Sequence, residues 1–482
     1  MNKNSLKNII AISLFGTMIW SCKAPAVSKE IENHQAPKIP EAYQNVQNDD
    51  APSSGLTPWK QFFTDPNLVV LIEEALKNNQ ELMITLQEIE ISKNEVLYKN
   101  GKLSPNVSAN AGIGVEKVGR YTSQGAGDAS TEIKPGKEMP DPLMDYAIGL
   151  SADWEVDIWK KLRNSKDASI ARYLSTVEGK NFVLTNLISE IASSYYELLS
   201  LDSQLELIHR NIELQKESLR VVKIQKEAAR ETELAVKKFE AELLKSESEE
   251  FNIKQDITET ENRINALLGR YPKKIKRDGS SFMDLIPQTV HAGIPSELLS
   301  NRPDIKQAEL ELKASALDVK VARAEFYPSL NISAALGLNA FKPSYLVKMP
   351  ESILYSLAGE LAAPLINKSA IKAEFNTANA HQIQALYEYD KTILNAYLEV
   401  SNQMSKINNL EQSYSYKDKQ AKALVESIDI ANQLFKNNRA DYLEVLTTQR
   451  DLLDAKMELI ETKEKQLSTV VAIYKSLGGG WK

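Results

Sequence analysis

The 482-residue sequence predicts a mainly helical chain with a membrane β portion, built as two copies of one plan. Three observations predict this fold class. Ordered sequence matches recur at fixed offsets, which indicates an internal duplication. Four segments of about ten residues alternate between apolar and small or polar residues, as membrane strands do. Glycine and proline are scarce, with 19 and 18 residues, and they cluster, so the long stretches between them favour extended helices.

The N-terminus is typical of an exported lipoprotein. Lys3 and Lys7 precede an apolar segment over residues 9–19, and Trp20 and Ser21 then lead to Cys22. We therefore predict a signal peptide over residues 1–21 and a lipid on Cys22, the single cysteine of the chain. Residues 22–60, rich in Pro, Asn, Gln and Ser, are predicted to form a lipidated tether. Apart from this covalent lipid we expect no cofactor.

The duplication is visible as ordered matches at two successive offsets, because the first copy holds 14 extra residues between them. Asn301 follows Asn78 by 223 positions, and Pro328 follows Pro105 by the same distance, whereas Leu477 follows Leu268 by 209. Each copy has the order helix, β-hairpin, helical hairpin. The predicted boundaries are 61–275 for the first repeat (β-hairpin 105–155, helical hairpin 158–269), 276–292 for a linker, and 293–482 for the second repeat (β-hairpin 328–364, helical hairpin 368–478).

The four predicted strands each have one apolar face and one small or polar face, which suits lipid on one side and water on the other. In the first strand, for example, Val107, Ile113 and Val115 share the apolar face. A soluble β-sandwich would show the same alternation. We disfavour it because there are only four strands, the loop over residues 116–145 is polar and glycine-rich, and the chain is predicted to carry a lipid.

Four strands cannot close a barrel, and an open sheet edge in lipid would leave backbone groups unpaired. The chain is therefore predicted to oligomerise. With four strands per chain, the spacing of the strands in the sequence allows barrels of eight, twelve or sixteen strands, from two, three or four copies.

The longest predicted helix covers residues 160–228, where only Gly179 interrupts and no proline occurs. At 1.5 Å per residue such a helix is roughly 100 Å long. A heptad seam runs along it, interrupted by Ser194 and Gln215. Such coiled coils are usually scaffolds, but attached to a membrane barrel they could extend its wall across the periplasm. The predicted seam consists of Leu184, Leu187, Ile191, Leu198, Leu201, Leu205, Ile208, Ile212 and Leu219.

Composition and motifs argue against other classes of protein. The net charge of -7 gives no basic face for a nucleic acid. Neither a phosphate loop nor a nucleophile motif occurs, so an enzyme is not expected. Arg302 and Asp304 are predicted to cap and orient a helix start. Four histidines are too scattered for metal-ligand spacing, so no metal site is expected: His34, His209, His291 and His381.

Several motifs together resemble the outer-membrane efflux channel family (TolC type), in the lipoprotein branch that partners resistance-nodulation-division pumps. They cover residues 293–305 (GIPSELLSNRPDI), 322–330 (ARAEFYPSL), 154–159 (WEVDIW), 441–446 (DYLEVL) and 477–481 (LGGGW). One departure is Lys160, which stands where the family usually has glycine.

The resemblance implies a homotrimer whose 12-stranded β-barrel, with four strands per chain, crosses the cell outer membrane. A long periplasmic α-helical barrel continues it. It also implies passive export of small toxic solutes, such as drugs or metals, delivered by an inner-membrane pump and a periplasmic adaptor protein. The alternatives are the exit duct of a protein-secretion system and a periplasmic coiled-coil scaffold.

The resemblance also assigns candidate sites at the periplasmic tips of the helices. It places Glu444 in an acidic gate ring with Tyr442 beside it, and Thr447 where a second acidic ring would need a carboxylate. The alternative for Glu444 is an exposed coiled-coil glutamate. The adaptor-contacting residues would be Arg230, Glu231, Thr232, Asn437, Asn438, Arg439 and Asp441.

Overall fold

The computed structural model describes residues 31, 34, 38–43, 52–279, 282–364, 366, 368–437 and 439–481. The predicted signal peptide, Cys22 and Asn438 lie outside these residues, as does most of the predicted tether before residue 52. The helices are α1 Trp59–Phe62, α2 Pro66–Asn78, α3 Gln80–Gly101, α4 Ser123–Ser130, α5 Lys161–Glu227, α6 Glu233–Leu267, α7 Leu298–Asn301, α8 Pro303–Ala324, α9 Pro343–Leu346, α10 Lys368–Lys436 and α11 Tyr442–Ser476. The strands are β1 Asn106–Glu116, β2 Glu132–Lys134, β3 Lys137–Glu138, β4 Leu143–Val156, β5 Ser329–Ala340 and β6 Ile353–Ala362.

The chain divides into two compact units, and each draws on both repeats. Among the described residues, the strand unit contains those within 91–173 and 310–386, and the helical unit contains those within 38–90, 174–309 and 387–481. In the described part of the chain, no helix combines the length and the apolar character that crossing a membrane requires.

The large sheet has four antiparallel strands in the order β1-β4-β5-β6. The pairing of β4 with β5 joins the hairpin of the first repeat to that of the second. At their meeting point Gly149 lies opposite Gly337, and a Cβ atom on Gly149 would lie only 2.6 Å from the Leu336 carbonyl oxygen. Glycine is therefore required where the two hairpins meet. Each outer strand, β1 and β6, has one edge without a partner among the described strands.

The connection between β1 and β4 is more ordered than a polar loop. It contains α4 and the small hairpin of β2 and β3, and Thr122 caps α4 by accepting the Gly125 amide at 3.1 Å. These elements are too short to produce a recognisable periodic pattern in the sequence. The sequence therefore indicated only a loop over residues 116–145.

The junction between β4 and α5 takes its form from one strained residue. Lys160 has a φ of 60°, the left-handed conformation that glycine adopts most easily. Asp157 then caps α5, because its carboxylate accepts the Leu162 and Arg163 amides at 3.0 Å each. Nearby, the Trp159 indole donates to the Pro328 carbonyl at 2.7 Å. A lysine thus takes a backbone conformation that usually favours glycine.

The predicted seam of α5 is largely buried. Two of its nine positions, Leu184 and Leu205, are only half-buried. The polar interruptions Ser194 and Gln215 are themselves 4% and 2% exposed, so they belong to the packed face. The other seven positions are buried: Leu187, Ile191, Leu198, Leu201, Ile208, Ile212 and Leu219.

Candidate functional site

The turn between α5 and α6 forms the tip of the first helical hairpin. Ala229 is left-handed, with a φ of 53°, and the Arg230 amide donates to the Gln225 carbonyl at 2.8 Å. This bond closes the last turn of α5 as in a Schellman motif. Thr232 then starts α6 by accepting a backbone amide at 3.1 Å on its hydroxyl. Arg230 and Thr232 are exposed and Glu231 is half-buried.

The tip of the second hairpin, between α10 and α11, repeats this geometry. The Arg439 amide donates to the Leu434 carbonyl at 2.9 Å, 209 positions after the bond made by Arg230. Asp441 caps α11 by accepting a backbone amide at 3.3 Å. Asn437, Arg439 and Asp441 are exposed, and Asn438 lies outside the described residues.

A shared apolar core lies behind the two tips and connects both hairpins. Phe239 of α6 and Phe435 of α10 are 1% and 7% exposed within it. Because all four long helices contribute, the two tips are held as one surface. The core consists of Leu219, Val222, Ala235, Val236, Phe239, Ala431, Phe435, Val445 and Leu446.

The two candidate gate residues have different environments. Tyr442 is half-buried and packs against the tip core. The Glu444 side chain is exposed, makes no ion pair among the described residues, and borders a groove of about 510 Å³ that Thr447 also lines. A carboxylate in the first turn of α11 is favoured by the helix dipole. The Glu444 carboxylate is therefore exposed in the single chain, whereas Tyr442 also contributes to the packing behind the tips.

A largely buried ionic cluster of the helical unit surrounds Arg302, which is 7% exposed. The guanidinium donates to both Asp304 carboxylate oxygens at 3.0 and 2.7 Å. It also donates to Glu399 and to the Ser476 carbonyl, each at 2.8 Å. Burial lowers the pKa of Arg302, but the bonds and charges of Asp304 and Glu399 outweigh this and raise it. Sequence reasoning predicted only the local role beside Asp304, which also accepts the Ile305 amide.

The predicted linker is attached to the helical hairpin by Arg277. Its guanidinium binds the Asp202 carboxylate at 2.5 and 2.9 Å and Glu261 at 2.5 Å. Burial opposes the charge of Arg277, yet these bonds raise its pKa above the usual value. The start of the predicted linker is therefore fixed to α5 and α6 by Arg277. Among the described residues, no group of three or more His, Cys, Asp or Glu side chains is placed to hold a metal ion.

These features can be compared with known proteins. The sequence matches the family of outer membrane efflux proteins over residues 71–270 and 294–479, that is, once in each repeat. The chain belongs to this family. The double match confirms the internal duplication, and with the observed helices and four-stranded sheet it confirms the predicted fold class.

Relatives of known role span almost the whole chain. OpmQ of Pseudomonas aeruginosa, a pyoverdine export outer membrane protein, is 27% identical over 431 residues, covering 89% of each chain. SilC of Salmonella typhimurium, a probable outer membrane lipoprotein, is 24% identical over 459 residues, covering 95% of each. The structure of the outer-membrane channel OprN superposes with a TM-score of 0.80 at 25% identity, over 95% of this chain and 99% of that one.

The predicted function is confirmed at the level of the family: the protein is the outer-membrane channel of an efflux system. The contact of the helical tips with an adaptor remains a prediction. So do the gate role of Tyr442 and Glu444 and the lipid on Cys22.

Proposed function

We propose that three copies of this chain close their sheets into a twelve-stranded barrel, through which small toxic solutes leave the cell passively. The observation that carries the proposal is the pair of open sheet edges. β1 and β6 each leave a row of backbone donors and acceptors without a partner among the described strands. In a membrane these groups need partners, and another copy of the same sheet supplies them.

The side chains of the edge strands support the same proposal. Val107 and Ile113 of β1 are 62% and 75% exposed, and Tyr355 and Leu357 of β6 are 79% and 78% exposed. Such contiguous apolar side chains are rarely left in water. In the proposed barrel they would face lipid.

The helical tips are proposed to bind a periplasmic adaptor that connects the channel to an inner-membrane pump. Both tips end in exposed polar residues over one shared apolar core, which gives a partner a defined surface. Arg230 and Arg439 take equivalent positions there, so the surface carries two cations at matching places. An adaptor with acidic or hydrogen-bonding groups at this spacing would fit it.

Glu444 is proposed to form the gate ring. Three exposed carboxylates brought close in a narrow pore would attract and hold cations. Glu444→Gln should therefore weaken block of single-channel current by divalent cations, and Glu231→Gln, at the other tip, should leave it unchanged. Block of the Glu444→Gln variant equal to that of the wild type and the control would show that Glu444 does not form the gate.

Cys22 is proposed to carry the lipid anchor, and the resemblance to a probable outer membrane lipoprotein supports this. Radiolabelled palmitate should label the wild-type protein and not a Cys22→Ala variant. Labelling of both proteins would show that the lipid is attached to a residue other than Cys22.

Gene deletion followed by a panel of minimum inhibitory concentrations tests the export function. Sensitivity to at least one class of toxic compound should rise and should be restored by the intact gene. Unchanged sensitivity to every compound would contradict the export of toxic solutes. The separation of heat-modifiable trimers from outer-membrane fractions tests the assembly.

A further inference from the structure

A cluster of three lysines surrounds one aromatic ring where β5 and β6 are connected. The ammonium groups of Lys348, Lys134 and Lys342 lie 5.2, 5.7 and 5.9 Å from the centroid of the Tyr345 ring. Phe341 packs edge-on against the same ring at 5.4 Å. We call these five residues the lysine–tyrosine cluster.

The cluster is assembled from both repeats. Lys134 lies in β2, within the connection of the first β-hairpin, whereas Lys342 and Lys348 flank α9 in the second. All three lysines are exposed, and none makes an ion pair with a carboxylate among the described residues. The ring attracts each cation, but three like charges around one ring repel one another. A bound anion would relieve this repulsion.

The neighbouring side chains indicate which kind of anion. Val347 and Met349, on either side of Lys348, are 75% and 65% exposed. A soluble anion would leave these apolar groups in water. Lysine, tyrosine and exposed aliphatic side chains together at the end of membrane strands are typical of a lipid headgroup boundary.

We propose that Lys134, Lys342 and Lys348 bind the phosphate headgroup of an outer-membrane lipid, with Val347 and Met349 against its acyl portion. The inference rests on the position of the strands in the outer membrane and is independent of the exported solute. The lipid would bridge the connections of the two β-hairpins and hold them together.

Lipid binding can be measured on the full-length protein purified in a non-ionic detergent. Native mass spectrometry with diphosphoryl lipid A should detect the bound lipid, and a dephosphorylated lipid A should bind much less. Each lysine near an anionic headgroup contributes about fivefold, so replacing all three with Gln should weaken binding by about 100-fold. Lys117→Gln, an exposed lysine just after β1, is the matched control and should change binding less than twofold.

Two results would overturn the proposal. One is equal affinity for diphosphoryl lipid A in the wild type and in the triple variant. The other is displacement of the lipid by inorganic phosphate at equal concentration, which would assign the cluster to a free anion. If the triple variant fails to assemble, the single variant Lys348→Glu replaces it, with at least a fivefold loss expected. Single-channel conductance, which the cluster should leave unchanged, separates this test from that of the export function.

Discussion

In the first repeat the Asn79 side-chain amide donates to the Leu267 carbonyl at 2.9 Å, and in the second the Arg302 guanidinium donates to the Ser476 carbonyl at 2.8 Å. Asn79 and Arg302 are equivalent positions of the two repeats, 223 residues apart. Leu267 and Ser476 are also equivalent, 209 residues apart. Both bonds tie the end of the last helix of a repeat to the start of its first long helix. The carbonyl target is the same in both repeats, but the donor has become a buried cation with its own carboxylate partners, one of which is Glu399.

The glycine that follows each of these helices is the same in both repeats. Gly269 and Gly478 have φ values of 66° and 84°. A Cβ on Gly478 would lie 2.5 Å from the Asn301 carbonyl oxygen, and one on Gly269 would meet the equivalent Asn78 carbonyl. The backbone geometry of the joint therefore tolerates little change, whereas the side chain that secures it can be neutral or charged.

Arg302→Ala should have the largest effect, because it leaves the Asp304 and Glu399 carboxylates and the Ser476 carbonyl without their cation. We expect a loss of about 3 kcal/mol in the free energy of unfolding, measured by denaturant titration in detergent. Asn79→Ala, the matched change in the first repeat, should cost about 1–2 kcal/mol. Equal losses would mean that the ion cluster adds nothing to the joint.

Gly478→Ala and Gly269→Ala should each cost about 1–3 kcal/mol, since alanine is strained in the left-handed region and its methyl group meets a carbonyl. Circular dichroism during thermal unfolding measures the change. Alanine at Gly101, where an added Cβ contacts nothing within 4 Å, is the control and should be tolerated. A loss of stability in only one of the two variants would show that the two joints are not equivalent.

Thr232→Ala and Asp441→Ala remove the equivalent helix caps of the two tips. Each should lower the free energy of unfolding by about 1 kcal/mol, because a backbone amide of the first turn loses its acceptor. The exposed aspartate should also interact with the helix dipole, so the cost of Asp441→Ala should fall at high salt while that of Thr232→Ala stays constant. Identical salt dependence would show that charge does not contribute at the second tip.

The smallest effect is expected at Glu464, whose equivalent in the first repeat is the exposed Gln255. Burial raises the pKa of Glu464 above its usual 4.5, although Ser468 donates to the carboxylate at 2.5 Å. The folded state therefore disfavours the ionised form, and stability falls as the pH rises through the raised pKa. Glu464→Gln should raise the melting temperature at pH 8 and leave it unchanged at pH 4. A rise at both values would indicate a packing effect instead.

Much of the fold could be predicted because it repeats and because its periods are regular. The heptads of α5 identify the buried face directly, and the alternation in β1 and β5 identifies the strands. The tips were predicted from the family resemblance, and the structure shows that Thr232 and Asp441 cap the helices that follow them.

The remaining features depend on contacts between distant positions. Arg302 meets Glu399 and Ser476, which are 97 and 174 positions away, and no local period indicates such partners. The same holds for Lys134 and Tyr345, which come from different repeats. The one available signal was the duplication itself, since Asn79 and Arg302 occupy the same place in the two copies.

The two buried polar residues of the α5 seam limit how the long helices can move. Ser194 and Gln215 occupy seam positions that would otherwise be apolar. Sliding one helix along another by a turn would move both polar residues to new levels of the seam, and polar seam residues set the register of a coiled coil. Rotation about the helix axes keeps each residue at its own level. Sliding of the long helices past one another is therefore opposed at both polar levels of the seam, whereas rotation about their own axes is not opposed in this way.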